Sequence, residues 1–174
     1  MSLCKTLLAS FALVIAVHAQ ETIQWSESDP RCSHRYWESG LLLRSITQKQ
    51  ITVAVALGDR NGHYELSVIV TNERATSIDV LTENFAIWSA TDRNAKIIRP
   101  LPLSKVVPKL YYKGIEDYVR WLKGIALSSS TVDPHKTVAG AVFFPRENKK
   151  HNDVIVYLPI GGDTLEFEMS PQFQ

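Results

Sequence analysis

The sequence predicts an all-β, antiparallel sandwich that carries one short helix. Three observations lead there. Residues 51–72 hold two long alternating stretches around a Gly/Asp/Asn turn; residues 137–169 hold three more strand-like runs, the last two joined by Gly-Gly; and a single segment, about 114–123, has helical spacing. Side chains alternate faces along a strand and return every three or four residues along a helix, so these periods separate the two states.

The first hairpin is read from "ITVAVAL", which puts Ile51, Val53, Val55 and Leu57 on one face and Thr52, Ala54 and Ala56 on the other. The turn "GDRNG" comes next, and "HYELSVIVTN" then sets Tyr64, Leu66, Val68 and Val70 against His63, Glu65 and Ser67. Alternation on both sides of such a turn is a hairpin signal. After the polar loop "NERATS" come "IDVL" and "NFAIWSA", the latter with Phe85 and Ile87 on one face. "AKIIRPLP" is expected as a short strand closed by Pro100 and Pro102, because proline cannot donate to a ladder.

The helical segment is "GIEDYVRWLKG", where Ile115, Tyr118, Val119 and Leu122 form one apolar stripe. Acidic Glu116 and Asp117 open it, and basic Arg120 and Lys123 close it, as the helix dipole favours. Glu116 is spaced to pair with Arg120, and Gly124 is expected as a left-handed cap. In the C-terminal third, "TVAGAVFF" sets Val138, Gly140, Val142 and Phe144 against Ala139, Ala141 and Phe143. "DVIVYLPI" is apolar nearly throughout, which predicts a strand covered on both faces, and "TLEFEM" alternates Leu165, Phe167 and Met169 inward. Gly161-Gly162 between them suits a two-residue turn with both residues at positive φ.

The N-terminus reads as an address. In "MSLCKTLLASFALVIAVHAQ", Lys5 precedes an apolar run from Leu7 to Val17, and Val17-His18-Ala19 predicts cleavage after Ala19. The run is shorter than the ~20 apolar residues that span a bilayer, so residues 1–19 are expected to be a cleaved signal peptide and the mature chain to be exported, periplasmic or extracellular, with no transmembrane span. The mature chain divides into residues 20–50, expected to be irregular or an edge strand, and a β-sandwich domain over 51–170. Its length suits one domain of about 100–150 residues, large enough to stand on its hydrophobic core. Cys4 would leave with the signal peptide, and Cys32 would remain as a lone thiol: a small apolar residue in an ordered N-terminal segment, or else the source of an intermolecular disulfide or a reactive thiol.

The chain has 19 basic and 18 acidic residues, a balance that gives no bulk attraction to nucleic acid. The distribution is uneven: Arg93 to Lys123 holds eight basic residues and two acidic ones. Within it, "KLYYKGIEDYVRWLKG" offers Lys109, Lys113, Arg120, Trp121 and Lys123 as partner or surface contacts, toward a protein, an envelope surface or an anionic glycan. The competing reading is a helix laid by its apolar stripe across an open end of the sandwich, with its lysines in water.

Asp133 and His135 in "TVDPHKTVAGAVFFP" are the other candidates, with His151 as a third if its loop approaches them; together they form a candidate ligand-binding set. A small exported hydrolase or metal-binding protein would use these three. The alternative is a β-turn, because Asp favours its first position and Pro134 presets φ at the second. The histidines at 34, 63, 135 and 151 have no repeated spacing of the kind metal sites show, and no GxSxG, HExxH or phosphate-loop motif is present. No catalytic residue, metal or cofactor is therefore assigned.

Two segments, "LSVIVTNERATSIDVLTENFAIWSATDRNAKIIRPL" (66–101) and "TVDPHKTVAGAVFFPRENKKHNDVIVYLPIGGDTLEFEM" (131–169), resemble exported bacterial immunoglobulin-like domains. In those domains a strand ending in Thr/Lys-Asn is followed by an "I-x-V" strand and an "F-x-I/L" stretch. Later a Pro-Gly turn precedes "v-x-G-x-V-x-F" and a final "Y/F-x-F" strand. The resemblance implies an immunoglobulin-like sandwich and brings no catalytic residues; His135 stands where the family's turn has glycine. The expected role is non-catalytic binding or support of a protein or envelope partner.

Overall fold

The computed structural model describes residues 20–36, 41–60, 62–91, 96–107, 114–146 and 153–173. The predicted signal peptide, Lys109, Lys113 and His151 lie outside them. Twelve strands are described: β1 (Thr22–Gln24), β2 (Cys32–Tyr36), β3 (Leu42–Gln48), β4 (Ile51–Arg60), β5 (His63–Asn72), β6 (Ile78–Val80), β7 (Ala86–Ser89), β8 (Ser130–Val132), β9 (Lys136–Pro145), β10 (Val154–Ile160), β11 (Asp163–Met169) and β12 (Gln172–Phe173). Between β7 and β8 come a single helical turn, α1 (Leu103–Val106), and helix α2 (Ile115–Ile125).

The strands build an all-β sandwich. One sheet runs β1-β11-β10-β7; the other runs β2-β3-β4-β5-β9 with β12 beside β4; β6 and β8 form a small ribbon. Most neighbours are antiparallel, while β1 joins β11 and β12 joins β4 in parallel. The longest ladders pair β4 with β5 from Ile51↔Asn72 to Arg60↔His63 and β5 with β9 from His63↔Pro145 to Asn72↔Lys136. Alternation then sends one row of each strand inward. Val53, Val55 and Leu57 of β4, Leu66, Val68 and Val70 of β5, and Phe144 of β9 meet Val156, Leu158, Leu165 and Phe167 of the facing sheet in one core. Each such side chain, removed from water, contributes about 1.5–3 kcal/mol before entropy is counted.

Several expectations need correction. Residues 20–50 supply three strands; β1 and β2 sit at sheet edges, but β3 is paired on both sides. "GDRNG" is mostly strand, since β4 continues to Arg60 and β5 begins at His63. "AKIIRPLP" forms no strand of its own among the described residues; Ile98 alone bridges Ile87. The outer row of β10 (Ile155, Tyr157, Pro159) is half-buried rather than covered, so its apolar run reflects one core face and one partly wet face. Helix α2 runs to Ile125, with Ala126 at its C-cap, and Gly124 is an interior helical residue. Ile125 packs beside Leu122 against the sheet, which holds the last turn closed past the glycine. Arg120 pairs with Asp117 at 3.1 Å, one residue nearer than the expected Glu116.

The position of α2 also differs from expectation. It lies against the outer face of β9, not across an open end: Leu122 and Val106 pack with Ala141 and Phe143, flanked by Leu103, Tyr118 and Ile125. A helix of eleven residues is marginal alone, so this contact is what holds it.

Candidate functional site

The contact between α2 and the sheet leaves a groove. Small residues on β9, Ala139 to Ala141, and Ser67 and Ile69 on β5 form its floor, while Trp121 and Ile125 of α2 form its wall, around about 360 Å³. Gly140 lets the chain leaving α2 come close to β9: a Cβ there would stand 2.8 Å from the Ile125 carbonyl oxygen and the Leu127 nitrogen. The chain leaving α2 is pinned at that spot, with the Leu127 N–H donating to the Ala141 carbonyl at 2.9 Å.

One end of the groove is charged. Glu65, placed by alternation on the same face as Ser67, is 7% exposed, and its carboxylate meets the Arg60 Nε at 2.7 Å. Arg60 in turn lies 4.7 Å over the Trp121 ring, which is also stacked on Tyr118 at 5.8 Å. Burial pushes the Glu65 carboxyl above its usual range, and Arg60 opposes that shift only in part. The groove thus offers apolar contact, a flat aromatic wall and a desolvated ion pair that fixes the wall in place. Trp121 keeps 37% of its surface exposed, so the wall faces incoming groups. Arg120 and Lys123, the other described candidates on α2, point into solvent.

Asp133 and His135 lie elsewhere, beyond the opposite end of β5. The Lys136 N–H donates to the Asp133 carbonyl at 3.2 Å, closing a β-turn, and His135 takes φ of 57°. The Asp133 carboxylate accepts from the Ser77 hydroxyl at 3.3 Å. The His135 Nδ1 stands 3.8 Å from the Glu73 carboxylate, and both side chains are well exposed. The turn is held by Asn72, fully buried, whose amide donates to the carbonyls of Thr76, Val132 and Asp133 at 2.9–3.1 Å. Here the acid and the imidazole serve two different neighbours. Cys32 is a free thiol packed against the core, and His34 meets the edge of Trp25 at 6.3 Å. Among the described residues no three of His, Cys, Asp and Glu are grouped to hold a metal ion. No described helix is long and apolar enough to cross a membrane.

The sequence points to Trp121 but not to its neighbours. Glu65 reads as a water-facing residue because alternation gives the face, not what covers it. Arg60 reads as part of a turn.

No family model matches the sequence, and no curated protein matches it. Solved structures similar to the chain include the following two. The yjhA protein from Bacillus subtilis is 17% identical, with a TM-score of 0.43 over 64% of this chain and 75% of that one. A putative lipoprotein, ycdA, from Bacillus subtilis subsp. subtilis str. 168 is 13% identical, with a TM-score of 0.48 over 72% of this chain and 38% of that one.

Proposed function

We propose that this chain is an exported, non-catalytic binding or accessory protein, an immunoglobulin-like domain that takes an apolar side chain or short apolar segment of a protein partner into the groove beneath α2. The observation that carries this reading is the groove itself: a floor of Ala139, Gly140, Ala141 and Ile69 beside the exposed face of Trp121. A pre-formed apolar trough with an aromatic wall and few polar groups is the usual form of a recognition site. Aromatic side chains in such positions commonly supply much of the binding energy. Among the described lining residues there is one carboxylate, already held by Arg60, and one hydroxyl, Ser67, so the trough is suited to contact. Export is supported by the signal-peptide pattern of residues 1–19. In-cell photocrosslinking from within the groove, compared with the far sheet, tests the proposal.

A further inference from the structure

At the end of the sandwich near Asn72, two hairpin tips lie side by side. Lys49 and Gln50 join β3 to β4 with φ of 47° and 62°, and Gly161 and Gly162 join β10 to β11 with φ of 65° and 90°. Residues with both tip positions left-handed form the turn that matches strand twist. Gly161 sits so close to Ile51 that a side chain there would collide with it. Arg74 ties the tips together: its Nε donates to the Lys49 carbonyl at 2.8 Å and its Nη1 to the Gly161 carbonyl at 3.3 Å. Beside it opens a concavity of about 600 Å³, lined by Lys49, Gln50, Arg74, Ala75, Thr76, Gly161 and Gly162.

The charges of this concavity do not cancel. Lys49 is matched by Asp163, 3% exposed beneath it, at 2.7 Å. Arg74 is held by two neutral carbonyls, which orient the guanidinium without neutralising it. A guanidinium has five N–H donors, so most remain after the two carbonyls are served. Of the carboxylates on adjoining segments, Glu21 accepts from Arg31 and Gln48 at 3.0 Å each, and Glu73 is exposed on the side of His135, 3.8 Å from its Nδ1. None of them lines the concavity. A fixed, half-buried cation with spare donors in a recess is the arrangement that recognises carboxylate or phosphate in bidentate fashion.

We propose that this recess is a binding site for a small oxyanion, a carboxylate or a phosphate group of a ligand, held by Arg74 with Thr76 and the Gly161-Gly162 backbone around it. It is separate from the α2 groove and does not depend on what the groove binds. The test uses the isotope-labelled mature chain and follows the amide signals of Gly161 and Gly162 and the Arg74 Nε signal. Sodium acetate or inorganic phosphate is added at constant ionic strength against a chloride control. The expected result is a saturable shift confined to residues 49–50, 74–76 and 161–162. Tighter saturation by acetate identifies a carboxylate ligand, and tighter saturation by phosphate a phosphoryl one. The variant Thr76→Glu sets a competing carboxylate in the recess while leaving both Arg74–carbonyl bonds, and it is expected to lose the saturable response with the remaining spectrum unchanged. Absence of saturation with both anions, an equal response to chloride, or an undiminished response in Thr76→Glu would overturn the proposal.

Discussion

The Leu127 backbone rests on the bare face of Gly140, where a Cβ would stand 2.8 Å from its nitrogen and 3.0 Å from its Cα. Backbone cannot yield as a flexible side chain can, so Gly140→Ala is expected to cost about 1–3 kcal/mol, the range for forcing extra atoms into a packed site. Gly124→Ala should have the opposite sign. Gly124 is inside α2 with nothing within 4 Å of its added Cβ, and alanine is preferred to glycine there by about 1 kcal/mol. Urea unfolding of the two variants checks both. A loss of stability in Gly124→Ala would restore the left-handed cap expected from the sequence.

Asn72 joins the end of β5 to the 133–136 turn. Asn72→Ala strips donors from three backbone carbonyls and is expected to cost on the order of 1–3 kcal/mol for each carbonyl left dry, less what water restores. Asn72→Asp at neutral pH should cost more, since it aims a charged acceptor at acceptors. Denaturation midpoints that matched the unsubstituted chain for both would show that the turn stands without this residue.

His135 has φ of 57°, a region that costs a non-glycine residue about 1–2 kcal/mol. Glycine relieves that strain but adds about 0.5–1 kcal/mol of unfolded-state entropy. His135→Gly is therefore expected to stabilise the fold slightly, by up to about 1.5 kcal/mol, the difference between those terms. A thermal midpoint that fell instead would mean the imidazole makes a contribution larger than the strain, and would return attention to it as a functional group.

Glu65 makes stability depend on pH with a definite sign. Its folded pKa is raised, first by burial, so the folded chain holds the proton to higher pH than the unfolded chain does. The contribution is fully present below the unfolded value near 4.5 and is lost as pH rises through the folded value. Relative to Glu65→Gln, which does not titrate, the unsubstituted chain should lose stability with rising pH above 4.5 and then level off. Paired denaturation curves across that window measure it; a difference that grew with pH would mean that Arg60 outweighs desolvation.

How much of the fold and the groove is legible in the sequence depends on what period encodes. The inward rows of β4, β5 and β11 and the Gly161-Gly162 tip follow from alternation and turn chemistry alone. Both glycines do take positive φ, and Leu165, Phe167 and Met169 are buried. Residues 22–48 are hard to read because β1 and β2 are short edges and "LLRSITQ" lacks clean alternation; their partners, not their own pattern, make them strands. Trp121 is visible as a candidate through composition. Its groove is not, because the groove exists only where α2 passes over β9 and where Gly140 lets the chain descend. Asp133 is expected to open a turn and does so, and His135 stands at the position where the left-handed φ occurs.

The most direct test of the groove as the working surface is site-specific photocrosslinking in the exporting cell. One chain carries the photoreactive residue at Ser67, on the groove floor, and another at Glu168, exposed on the far sheet. The expected result is a discrete adduct with one partner from Ser67, abolished when Ile69→Glu places a charge in the trough, and no such adduct from Glu168. Equal labelling from the two positions, or a Ser67 adduct undiminished by Ile69→Glu, would contradict the groove's role.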